Sequence, residues 1–150
     1  MIRGISFISE NSYSIFPIIT RSIKIKDYDW YVIENGVYDG KTHDSALKVA
    51  KYNGASLKNC LESDEIFVLY ANIQAYPLQH AYKIINSYDD YFNSDCEIVI
   101  LIYDSLYIEI YSKDIEIIKC IEYYIHNNGF NEISYITDNN DSRTAFYVMK

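Results

Sequence analysis

The chain has 150 residues, 49% of them hydrophobic and 23% charged, with 5 glycines, 2 prolines and a formal charge of −8. Such a composition excludes collagen-like, linker-like and disordered classes, and the length suits a single domain, expected over residues 1–150, that folds without disulfides or metal. The acidity is uneven, with 15 Asp/Glu against 5 Lys/Arg in residues 61–150, so no nucleic acid and no anionic membrane is expected as a partner.

Residues 2–8 alternate in polarity and predict an opening strand. Over 12–23, Ile15, Ile18, Ile19 and Ile23 recur at helical spacing, with Ser12 or Ser14 as caps and Pro17 in the first turn. A short strand is predicted over 29–33, then a turn at Asn35-Gly36 and a return at Val37-Tyr38. From 42 to 61, Leu47, Ala50 and Lys51 suggest a helix that Asn53-Gly54 stops, with a further short turn around Leu57, Cys60 and Leu61. Residues 66–71 are continuously apolar, as in a strand buried on both faces, and Ser87 is placed to start a short helix with an acidic first turn.

The second half carries the plainer pattern. Residues 98–103 read as an apolar strand, too short to span a bilayer, and Asp104-Ser105 turns the chain into an alternating strand over 106–111. Ser112 is the expected cap of a helix with Asp114 and Glu116 in its first turn and Ile118, Ile121 and Ile125 as its buried stripe. Gly129 suits the left-handed position that ends this helix, which sets Phe130 against Ile125. Strands over 133–137 and 144–149 follow, joined by the turn 138–141. The prediction is an α+β fold, a largely antiparallel sheet with helices on one face, ending in a β-β-α-β-β unit.

Chemistry is sparsely marked. The glycines stand alone, which excludes a phosphate-cradling loop, and His43, His80 and His126 lack ligand spacing, so no metal and no cofactor is expected. Cys60, Cys96 and Cys120 are odd in number and far apart, which points to reduced thiols and, with no signal-peptide pattern at the start, to the cytoplasm. Cys96 with His80 is the one nucleophile–base pair to consider, but a packed thiol is the simpler expectation. His126, in a last helical turn, suits the helix dipole. The polar run Asp138-Asn139-Asn140-Asp141-Ser142-Arg143-Thr144 lacks the calcium-loop pattern; its side chains are expected to bond their own turn, with Arg143 paired to an Asp.

The 17 tyrosines are unusual. Tyr107 and Tyr111 share a strand face with Glu109, and Asp114 and Glu116 follow, which suggests an acidic, Tyr-bearing recognition surface. The leading expectation is a non-enzymatic cytoplasmic binding protein, inhibitor-like or immunity-like, for a basic protein partner. The alternative is a small-molecule, nucleotide-type binder with Arg143 and Thr144 on a phosphate, and a third is a hydrolase or transferase with a dispersed site.

Several stretches carry a resemblance: Arg3-Gly4-Ile5-Ser6-Phe7, Trp30-Tyr31, Phe67 to Ala71, Gln74-Ala75-Tyr76-Pro77, Ser94-Asp95-Cys96, Tyr107 to Asp114, Asn128-Gly129-Phe130, and Tyr135-Ile136-Thr137-Asp138 with Asp141 and Arg143-Thr144. In this order the chain resembles an uncharacterised family of short cytoplasmic proteins from low-GC, spore-forming Gram-positive bacteria. Asn72 departs from the acidic residue often found before the Q/K-A-Y-P stretch, and 39–63 departs most. The resemblance implies an intact domain and no known activity, and it marks the 138–144 turn as a family feature.

Overall fold

A computed structural model describes residues 1–10, 15–63 and 65–149. Seven strands form one antiparallel sheet in the order β3-β2-β4-β5-β6-β1-β7. They are β1 (Ile2–Ile8), β2 (Tyr28–Asp39), β3 (Lys51–Asn53), β4 (Ile66–Pro77), β5 (Ile98–Tyr103), β6 (Tyr107–Ser112) and β7 (Asn131–Thr137). The helices are α1 (Phe16–Ser22), α2 (Gly54–Leu61), α3 (Tyr88–Phe92) and α4 (Ile115–His126). The α+β class and the antiparallel sheet are as expected.

Strand alternation divides the apolar side chains between two faces. Ile98, Ile100 and Ile102 of β5 join Ile108 and Ile110 of β6 in a core that takes in Ile18 and Ile19 of α1, Leu57 and Leu61 of α2, and Ile118, Ile121 and Ile125 of α4. Val99, Leu101 and Tyr111 point the other way, into a second core with Tyr76, Tyr91 of α3 and Phe146. The three longer helices therefore cover one face, and α3 with the C-terminal tail covers the other.

Several local expectations change. Asn35-Gly36 does not turn the chain: β2 runs straight through it, paired with β4 along its length. Register shifts at Val32/Glu34 and Gly36/Val37 absorb the irregularity, and Gly36 is needed because a Cβ there would lie 2.5 Å from the Tyr70 ring. No helix forms around Leu47 and Ala50. Instead Lys51–Asn53 pairs with β2, and the Asn53 side chain caps α2 by accepting from the Ser56 amide, so Asn53-Gly54 starts a helix where it was expected to stop one. The α4 cap is Asp114, which accepts from the Glu116 amide, while the Ser112 hydroxyl accepts from the Asp114 amide one step earlier. Ser87 caps α3 as expected. The proposed caps Ser12 and Ser14 lie outside the described residues.

The closing unit follows the expected order through β7. Gly129 has φ 78°, and the Phe130 amide donates back to the Ile125 carbonyl. Residues 144–149, expected as the last strand, form a tail that crosses the second face without sheet pairing. Its Phe146 amide donates to Asn86 O, and its Val148 and Met149 amides donate to the Glu34 carboxylate.

Candidate functional site

The tail face gathers most of the residues that the sequence singles out, together with Arg3, which it does not. Ile2, Ile5 and Phe7 of β1 all pack on the helix-covered core, which simple alternation does not permit. The register of β1 against β7 shifts between Ile2 and Gly4, and this bulge turns Arg3 onto the tail face. Its guanidinium lies 3.8 Å from the centre of the Tyr88 ring. Arg3 Nε donates to Asp138 (2.8 Å) and Nη1 to Asp141 (3.2 Å). The Arg3 hydrogen bond holds the Asp138 carboxyl below its ordinary range. Asp141, 4% exposed, also accepts from the Tyr111 hydroxyl (3.1 Å) and the Arg143 amide (3.1 Å). Burial pushes the Tyr111 phenol well above its usual range, so it remains a donor to Asp141.

The 138–144 turn bonds largely to itself, as expected: Asn140 accepts from the Thr137 amide and donates to Tyr135 O. Arg143 does not pair with an Asp. Its Nε donates to Glu109 (2.7 Å), and Nη1 donates to the carbonyls of Ala145 and Tyr147 (both 3.2 Å). Around this pair, Tyr103, Glu109, Arg143, Thr144 and Tyr147 line an open hollow of about 380 Å³. Tyr103 stacks on Tyr107 at 5.4 Å, the latter 43% exposed.

A second hollow, about 190 Å³, lies where the tail passes residues 82–86. Tyr82, Ile84 and Tyr147 rim it, and Asn72, Gln74 and Glu34 lie beneath. These three are linked: Asn72 Nδ2 donates to Phe146 O (2.9 Å) and Glu34 (3.3 Å), and Gln74 Nε2 lies 3.5 Å from Asn72 Oδ1. Nothing in their spacing marked them, because they converge only when the tail folds over β2 and β4. Rings thus continue from one hollow to the next: the exposed Tyr82 and Tyr147 on the smaller hollow, Tyr147 and the half-buried Tyr103 on the larger, and Tyr103 onto the exposed Tyr107.

The site residues expected from sequence therefore divide. Tyr107, Glu109, Tyr111, Asp138, Asp141, Arg143 and Thr144 lie on or along the tail face, although Tyr111 is fully buried. Asp114 and Glu116 stand apart at the exposed start of α4. Cys96 and His80 do not pair. The Cys96 thiol donates to the carbonyls of Ala75 and Ile98, and burial raises its pKa to about 12, so it stays protonated at neutral pH. His80 lies against Tyr31 and Tyr76, with Nδ1 bonded to Pro77 O and Nε2 to the Tyr31 hydroxyl. Among the described residues, no cluster of three or more His, Cys, Asp or Glu could hold a metal, and no helix is long and apolar enough to cross a membrane.

The chain is 30% identical to an uncharacterised protein, YncE, of Bacillus subtilis (strain 168), over 99% of this chain and 100% of the relative. No solved structure matches it. Residues 2–147 match a family described as "Protein of unknown function (DUF2691)", and the chain belongs to that family.

Proposed function

We propose that the protein is a non-enzymatic, cytoplasmic binding protein that recognises a basic segment of another protein through the row of tyrosines on its tail face, in an inhibitor-like or immunity-like role. The observation that supports this is the row of rings along the two hollows, in which Tyr82, Tyr147 and Tyr107 are exposed and Tyr103 is half-buried. Exposed aromatic side chains in a continuous row are what protein interfaces use, since each ring buries a large area at small entropic cost. The charge of −8 supplies the preference for a basic partner and its steering, with exposed Asp114 and Glu116 contributing at a distance. A nucleotide-type ligand on Arg143 and Thr144 draws less support, because Arg143 already donates to Glu109 and two carbonyls.

Affinity capture from cell lysate at low and high salt tests the reading. The wild type should capture a basic protein at low salt and release it at high salt. The double variant Tyr107→Ser/Tyr147→Ser should lose it, and Tyr123→Ser, on α4 and 75% exposed, should keep it. Equal capture by wild type and double variant would contradict the proposal.

A further inference from the structure

The hollow beneath Tyr82, Ile84 and Tyr147 has a floor that is chemically incomplete. Gln74 is 1% exposed, and its Oε1 has no hydrogen-bond partner among the described residues. Its orientation is set by the neighbouring amide. Asn72 Nδ2 is engaged by Phe146 O and Glu34, so Asn72 turns its carbonyl oxygen to Gln74 Nε2 and leaves Gln74 Oε1 facing elsewhere. An acceptor so buried is costly unless a donor reaches it. The second feature is Glu34. It accepts N–H bonds from Asn72, Val148 and Met149, all neutral, and makes no ion pair among the described residues. The floor therefore combines an unused acceptor with an uncompensated carboxylate, under a rim of two tyrosines and an isoleucine.

We infer that this hollow is a binding site for an alkylammonium group, the head of a lysine side chain or of a small primary amine. An ammonium carries three donors and no acceptor, so it can satisfy Gln74 Oε1 and neutralise Glu34 together. A neutral amide offers the first without the second, and a carboxylate is repelled. The alkyl stem matches the apolar part of the rim, and the faces of Tyr82 and Tyr147 favour a cation at the mouth. The volume, about 190 Å³, suits one such side chain. The inference deepens the preceding reading by naming the group that a basic partner would insert, and it rests on that reading only for the source of the ammonium.

Titration of the isotope-labelled protein with n-butylammonium, n-butyramide and butyrate, followed by NMR, tests it. n-Butylammonium should shift the Gln74 side-chain amide and the backbone amides of Tyr82 and Ile84 in a saturable way, with butyramide much weaker and butyrate silent. Tyr82→Ala, at a position 46% exposed, should weaken binding about fivefold, as loss of one cation–aromatic contact does. Glu34→Gln should weaken it further while leaving the butyramide response unchanged. N-acetyl-lysine methylamide, run beside the free amine, separates the sources: binding at least as tight as n-butylammonium assigns the site to a peptide lysine, and weaker binding assigns it to a free amine. Equal shifts from butyramide, or ammonium shifts spread over exposed acids such as Glu116 with none at Gln74, would overturn the inference. Amine binding that persists when protein capture fails would leave this site standing and remove only the protein partner.

Discussion

Asp141 shows how single residues tie the tail face together. Buried to 4% exposure, it is held by Arg3 from one end of the chain, Tyr111 from β6 and the Arg143 amide from its own turn. Removing one of these partners leaves a buried carboxylate short of a donor, which costs more than the bond itself contributes. Tyr111→Phe should therefore lower stability by about 1–3 kcal/mol in urea unfolding, and an unchanged midpoint would mean that Asp141 is already satisfied without the phenol. Alternation made it legible that Tyr107, Glu109 and Tyr111 share a face. That Tyr111 is buried there was not legible, because the residues that cover it, Tyr88, Tyr91 and Phe146, come from elsewhere in the chain. Arg3 was hidden for a related reason: its direction depends on a bulge against β7, more than 130 residues later.

At the scale of elements, the part of the chain from β5 to β7 was readable because its hydrophobic period is local. Ile118, Ile121 and Ile125 recur on one side of α4 and are all buried. Ile121→Ala should cost about 2–5 kcal/mol by equilibrium denaturation, as deletion of a large buried side chain does; a loss near zero would place Ile121 at the surface. Where reading failed, long-range pairing overrode a local signal. Asn35-Gly36 carries a strong turn preference, yet β4 pairs with both sides of it, and Asn35 spends its side chain on Ser45, Leu47 and the Val37 amide. The tail alternates like a strand because Phe146 and Val148 pack inward, but its amides donate to Asn86 and Glu34. Alternation reports burial on one side and does not by itself report a sheet neighbour.

At the scale of the molecule, one antiparallel sheet separates two unlike cores. The helix-covered side is mostly aliphatic, with Phe7, Phe16, Trp30 and Phe130 among its residues, and is closed by α1, α2 and α4. The tail side is rich in tyrosine, ion pairs and buried amides, and it presents both hollows and the row of rings. On the tail face, Glu109, Asp138 and Asp141 are each paired with an arginine. The recognition surface proposed above is aromatic area with a carboxylate beneath it, on the tail face. Site-specific photo-crosslinking tests that claim most directly, with a photoreactive residue placed at Tyr147 in one variant and at Tyr123 in another. The account predicts an adduct with a basic protein from position 147 and none from position 123, whereas an adduct from position 123 alone would contradict it.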